Sequence, residues 1–210
     1  MKLAVFDYDS TLMDGETLEF LAREFKLENE VREITNKAMN GELDFFESLT
    51  YRVSLLKGLS IEKVDKICKT LPLMRGAREV VTELKKMGYT TVCFSGGFQN
   101  ATNHTKQEIG LDADFSNIFH IKDGLLTGKV GGSMMFGFSK GEMIQNLQGL
   151  LKVTPENTVA VGDGANDLSM FKYAKYKIAF CAKPILKQAA NIIIDEKNLA
   201  LIPQKLAQFN

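Results

Sequence analysis

Five short apolar runs punctuate the chain: KLAVF (2–6), YTTVCF (89–94), TVAVG (158–162), KIAFC (177–181) and NIIID (191–195). Glycine or polar residues bound each run, and segments between them carry apolar residues at helical spacing, as in Val80, Val81, Leu84 and Met87. Gly88 follows where a left-handed residue commonly ends a helix. Nearly continuous apolar runs need cover on both faces, so the alternation predicts an α/β fold, a Rossmann-like and mainly parallel sheet with helices on both sides.

One stretch breaks the alternation. From Glu16 to about Leu73 only helical patterns occur, as in ETLEFLAREFKL and SIEKVDKICKTL. Leaving directly after the first strand, these residues read as a helical insertion over its carboxyl end. The expected division is a core of 1–14 and 75–210 with a helical cap of 15–74. A second departure, IFHIKDGLLTGKV (118–130), predicts a small β-hairpin turning at Asp123-Gly124.

Composition excludes several classes. Lys plus Arg and Asp plus Glu each count 26, so no bulk charge draws the chain to nucleic acid or a membrane surface. No apolar run reaches the ~18–20 residues that span a bilayer, and the start lacks a signal-peptide pattern. Cys68, Cys93 and Cys181 lie far apart, and with His104 and His120 they give no zinc-ligand spacing. Buried free thiols, structural histidines and a reducing cytoplasm are expected, with monomer and homodimer both open.

The segment VFDYDSTL (5–12) places Asp7 and Asp9 together at the end of an apolar strand. In an extended segment they share a side and repel, a poor choice without a use. Ligands of parallel sheets collect beyond the strands' carboxyl ends. Three such ends carry polar groups here: Asp7, Asp9 and Thr11; Ser95, Gly96 and Gly97; Asp163, Gly164, Asn166 and Asp167. Asp7, Asp163 and Asp167 offer the oxygen donors that Mg²⁺ prefers. Ser95, the glycine amides with the following helix start, and Lys140 suit a phosphate. Lys140 stands in SKGE, where Ser139 and Glu142 have capping-box spacing. A carboxylate facing a gripped phosphoryl group is a nucleophile, and a second one nearby serves as general acid and base. This gives Asp7 and Asp9 separate tasks.

The segments FDYDST, SGGF, SKGE and GDGANDLSM, in this order, resemble the four motifs of the haloacid dehalogenase-like hydrolases. Phosphatases of that superfamily use an aspartyl-phosphate and Mg²⁺. ETLEFLAREF, YRVSLLKGLS, KDGLLTGKV and KIAFCAKPILK extend the resemblance to phosphoserine phosphatases over nearly the whole chain. The resemblance implies Asp7 as nucleophile and Asp9 as acid and base. It places the metal on Asp7, the Asp9 backbone and Asp163, and the phosphate on Ser95, Gly96 and Lys140. Asn166 and Asp167 complete the acidic loop, Asn166 toward substrate; Asp167, a metal ligand in the unaided reading, becomes a supporting group like Thr11. Glu16 and Arg52 match the pair for a substrate's ammonium and carboxylate, and Met39 and Phe45 the apolar residues that close the pocket.

The implied activity is hydrolysis of L-phosphoserine, the last step of serine biosynthesis. The same chemistry on another small phosphomonoester, or phosphoryl transfer to an alcohol such as homoserine, stays open. A non-catalytic phosphoacceptor fits less well, because Asp9 supplies a base and the insertion a lid. GGSMMFGF (131–138) departs from the family's more polar pattern; Met134, Met135, Phe136 and Phe138 are left to pack under the hairpin or line an interface.

Overall fold

The structure is a computed structural model that describes residues 1–209. Its strands are β1 (Lys2–Asp7), β2 (Tyr89–Phe98), β3 (Ala113–Lys122), β4 (Leu125–Gly132), β5 (Thr158–Gly162), β6 (Tyr176–Phe180) and β7 (Ile192–Ile194). They form one seven-stranded sheet in the order β4-β3-β2-β1-β5-β6-β7, parallel except for β4. The predicted α/β class is the observed one.

Alternation along β1 explains the two cores. Ala4 and Phe6 face one layer with Val80, Leu84, Phe98 and Ile178, while Leu3 and Val5 face the other with Val92, Phe94, Ile144 and Met170. The chain builds outward from β1 through β2, β3 and β4 on one side and then crosses back to lay β5, β6 and β7 on the other. That reversal opens a crevice at its carboxyl end.

Between β1 and β2 run α1 (Thr17–Ala22), α2 (Glu28–Met39), α3 (Phe45–Ser54), α4 (Ile61–Cys68) and α5 (Ala77–Lys86). The Asp14 N–H donates to Pro72 O and the Met74 N–H to Leu12 O, each at 2.9 Å. Residues 15–72 thus leave and return through one doorway beside β1. The remaining helices are α6 (Gln99–Ile109), α7 (Ser139–Leu151), α8 (Leu168–Phe171), α9 (Pro184–Lys187) and α10 (Ile202–Ala207).

One expectation is met and two are corrected. The hairpin forms as expected and turns at Asp123 and Gly124, both at positive φ (53° and 77°). Its first strand begins at Ala113 and pairs with β2, so the hairpin is the sheet's edge. The capping box at SKGE does not form: α7 is capped at Phe138, and Ser139 Oγ instead accepts the Phe136 N–H. The helix starts one residue earlier than that motif requires. Finally, Cys68 and Cys93 are buried free thiols, whereas Cys181 is partly exposed.

Candidate active site

Asp7 is the last residue of β1, and Asp9 lies beyond the strand. Tyr8–Leu12 forms a wide turn closed from the Met13 N–H to Tyr8 O, with Asp9 extended (φ −64°, ψ 136°) and Ser10 left-handed (φ 57°). The expectation of two acids on one face of a strand is therefore replaced by a strand end and a turn. Asp7 Oδ1 accepts the Tyr8 N–H at 2.7 Å and sits 2.6 Å from Lys140 Nζ. Asp9 Oδ1 accepts from both the N–H (2.7 Å) and the hydroxyl (2.6 Å) of Thr17 at the start of α1.

Lys140, in the first turn of α7, also lies 2.6 Å from Asp167 Oδ1. The other Asp167 oxygen accepts the Asp163 and Gly164 N–H groups at 3.0 and 3.2 Å. Gly162 makes this possible, since a Cβ there would lie 2.2 Å from Asp167 Oδ2. Asp167 is thus a buried bracket between Lys140 and the loop after β5.

Carboxylate oxygens of Asp7, Asp163 and Asp167 lie within 4.8 Å of one another, all buried. Burial, then the Asp167 charge, raises Asp7 to about 7 against the pull of Lys140. Burial and the Asp7 charge push Asp163 well above the ordinary carboxylate range. Burial alone would lower Lys140, but Asp167 and Asp7 outweigh it and hold it above its usual value. One lysine among three acids leaves an excess of hard oxygen donors, the donor set that suits a small divalent cation. Asn166 Oδ1 is buried beside them without a donor, and so is Thr11 Oγ1.

Ser95 and Gly96 lie in the stretch where the β2–β3 pairing shifts register, next to Phe94, the partner of Asp7. Ser95 Oγ accepts the Gly97 N–H at 2.8 Å, which leaves its hydroxyl hydrogen free to donate outward. The expectation that the glycines follow the strand is corrected: they lie within β2, α6 follows at Gln99, and the Gly97 amide is engaged by Ser95. Gly96 and Gly97 serve instead by their lack of side chains. A Cβ at Gly96 would lie 2.5 Å from the Phe45 ring, and one at Gly97 2.8 Å from Asp9 Oδ2.

The helices between β1 and β2 roof this floor. Glu16 Oε1 accepts from Ser10 Oγ at 2.6 Å, and burial followed by the Asp9 charge raises Glu16 to about 8. Arg52, buried on α3, donates to Thr35 Oγ1 (2.8 Å) and Ser48 O (3.1 Å). Burial lowers its guanidinium below the usual value, opposed by Glu16 and Asp9. Met39 reaches Gly164, where a Cβ would meet its sulfur at 2.6 Å. Asp7, Asp9, Glu16, Met39, Phe45, Arg52, Gly96, Asp163 and Asn166 line one narrow cavity of ≈ 30 Å³ that opens in part to solvent.

Thr17, Ser10 and Thr35, which orient Asp9, Glu16 and Arg52, were not singled out from sequence. Thr17 adjoins Glu16 at a helix start, a weak signal; the other two gave none. Leu18 and Leu49 also line the cavity and read as ordinary helix-core positions.

A carboxylate at the end of a central strand, a buried lysine beside it and further acids on the next strand's loop define a class, and the family comparison agrees. A model of the haloacid dehalogenase-like hydrolases matches residues 1–175, and the chain belongs to that family. Among its relatives, the phosphoserine phosphatase of Wolinella succinogenes is 61% identical over 199 residues, 95% of this chain and 97% of that protein. The phosphoserine phosphatase of Methanocaldococcus jannaschii is 50% identical over 198 residues, covering 94% of each. A structure of a phospho-aspartyl intermediate analogue of phosphoserine phosphatase superposes with a TM-score of 0.95 at 50% identity, covering 97% of this chain and 98% of that one. A substrate-bound phosphoserine phosphatase gives 0.94 at 49% identity, with 97% of each chain covered.

Proposed function

We propose that this chain hydrolyses L-phosphoserine to L-serine and inorganic phosphate through an aspartyl-phosphate on Asp7. The observation that carries the proposal is the meeting, in one cavity, of Asp7 and Asp9 with Glu16 and Arg52. The first pair performs phosphomonoester chemistry, and the second offers one negative and one positive group. Those charges complement the ammonium and carboxylate of an amino-acid phosphate.

Both donors to Asp7 fall on Oδ1, so Oδ2 attacks phosphorus and the bond from phosphorus to the serine oxygen breaks. Asp9, which burial raises above its ordinary value, delivers its proton to the departing alkoxide. It then takes a proton from the water that attacks the phosphoryl group, and the Asp7–phosphorus bond breaks. Thr17 keeps Asp9 turned toward that water. Ser95 donates its hydroxyl hydrogen, and Lys140 its charge, to the phosphoryl oxygens. Asp7, Asp163 and the Asp9 carbonyl would hold Mg²⁺, with Asn166 toward the same end of the cavity. When bound, Mg²⁺ neutralises the developing charge on the phosphoryl oxygens. Asp167 positions Lys140 and the loop after β5, and Thr11 is buried in the turn after β1 as a further supporting group.

The helical segment 15–74 acts as the cap and 1–14 with 75–210 as the core; the doorway bonds at Asp14 and Met74 support that division. Met39 and Phe45 pack over the cavity against Gly164 and Gly96, which keeps bulk solvent away from the reacting groups while leaving the one attacking water its place. Three free cysteines favour a reducing cytoplasm. Among the described residues no helix is long and apolar enough to cross a membrane.

The test is phosphate release from L-phosphoserine, phosphothreonine, a sugar phosphate, a nucleotide and an aryl phosphate, with Mg²⁺ or EDTA, for the wild type and Asp7→Asn. Mg²⁺-dependent release that is strongest on phosphoserine and lost in the variant is the expected result. Release from other esters but not phosphoserine overturns the substrate, and release by Asp7→Asn overturns the nucleophile.

A further inference from the structure

Three large apolar rings lie exposed in one stack beside the cavity. Phe46 and Phe136 have centroids 5.1 Å apart with planes 16° from parallel, and Phe136 and Phe138 follow at 5.2 Å and 1°. Their exposures are 38%, 45% and 55%, so no core burial explains the arrangement. Phe46 belongs to the cap, in the first turn of α3. Phe136 and Phe138 belong to the core loop that leads into α7.

What the stack joins gives it a role. Phe45, the neighbour of Phe46, places its ring against Gly96 on the phosphate side of the cavity. Phe45, Leu49 and Arg52 follow at i, i+4 and i+7, one stripe of α3, and all three line the cavity. Phe46 lies a hundred degrees around the helix, free to meet the core. On the other side, Phe138 caps the helix whose second residue is Lys140. The loop also runs close to Phe45 here, since a Cβ at Gly137 would lie 3.8 Å from Phe45 Cβ, an ordinary packing distance.

The geometry points to Phe46, Phe136 and Phe138 as positioning residues, an aromatic latch that holds the Phe45–Arg52 face of the cap over the site. The inference rests on the proposed phosphoserine reading for its kinetic consequence, but not for its structural one. Stacked aromatic pairs of this kind bias an equilibrium by about two- to tenfold. A substrate that binds the closed form loses apparent affinity in proportion as that form is depopulated. The latch therefore acts on KM, and the reacting groups on the floor keep kcat.

The test compares the wild type with Phe136→Ala, Phe136→Tyr and, as a control on the same helix as Lys140, the exposed Leu150→Ala. Two quantities are read: KM and kcat for L-phosphoserine, and hydrogen exchange of amides 45–52. The expected result for Phe136→Ala is a KM raised by about three- to tenfold, kcat within about twofold, and faster exchange at 45–52. Phe136→Tyr restores both readouts, and Leu150→Ala alters neither. Unchanged exchange in Phe136→Ala overturns the latch whatever the kinetics, and so does a fall in kcat at constant KM. If the wild type fails to turn over phosphoserine, the substrate reading falls, and the exchange comparison still decides the latch.

Discussion

Lys140 Nζ lies 2.6 Å from Asp7 Oδ1, and both side chains are buried. A lysine is rarely buried without a partner, and here it has two, because Asp167 Oδ1 lies equally near. Removing it leaves two buried carboxylates facing each other. Lys140→Ala should lower stability by about 3–5 kcal/mol in the metal-free protein, the cost of breaking a buried ion pair. It should also lower kcat by about 10²–10³-fold, as loss of one preorganised charge does. Denaturant unfolding and steady-state kinetics check the two parts separately. A variant of wild-type stability and activity would show the contact to be incidental.

Glu16 and Arg52 line the same cavity as Asp7, and each acts on the other's charge. Replacing Arg52 by Ala or Glu16 by Gln should raise KM for L-phosphoserine by about 10- to 100-fold, the loss of a charge-assisted contact of about 1.5–3 kcal/mol. For an aryl phosphate, which carries neither charged group, KM should change by less than about threefold. Equal losses on both substrates would make the two residues structural supports of the cap.

The central strand ends and their acids were legible because their signals are local. An apolar run followed by Asp needs no partner to be read, and Asp7 and Asp163 both stand at such ends. Asp123-Gly124 named its own turn. The first half of β3 was hidden, because Asp114 and Ser116 break its apolar pattern. Those groups are satisfied at a distance, by Lys106 on Asp114 and by Thr102 on both. SKGE misled because capping spacing says nothing about which residue begins the helix. Thr17, Ser10 and Thr35 escaped notice because a hydroxyl that orients an acid or a guanidinium looks like any other until its partner is placed. The MMFGF segment stood out as apolar, but only the fold shows Met134 and Met135 packed into the two cores and the phenylalanines stacked on Phe46 of α3.

The raised acids give the metal-free protein a pH dependence of definite sign. Asp7 rises from 3.8 to about 7 and Glu16 from 4.5 to about 8, burial being the largest cause for each. In this range the folded state holds protons that the unfolded chain has released, so stability falls as pH rises. The fall should begin near the unfolded values, about pH 4–5, and level off above about pH 8. In EDTA the Tm should therefore decrease from about pH 5 to pH 8. Mg²⁺ should flatten the slope by compensating the ionised acids. Glu16→Gln should remove its upper part, so that the variant's Tm advantage over the wild type grows with pH. A difference that does not change with pH would contradict the raised Glu16.

Gly162 tests how far the bracket around Lys140 depends on space. Its Cβ position is already filled by the Asp167 carboxylate, with Oδ2 at 2.2 Å and Cγ at 2.3 Å. Gly162→Ala must displace Asp167 from the Asp163 and Gly164 amides and from Lys140. The overpacking should cost about 1–3 kcal/mol. Activity should fall along with stability, because the displaced carboxylate no longer fixes Lys140 beside Asp7. Gly149 makes the contrast, since it lies inside α7 with nothing within 4 Å of its Cβ position. Gly149→Ala should raise stability by about 0.5–1 kcal/mol through the unfolded state and leave kcat and KM unchanged. Comparable activity loss in the two variants would mean that the site is sensitive to any change in its helices, rather than to the position of Asp167.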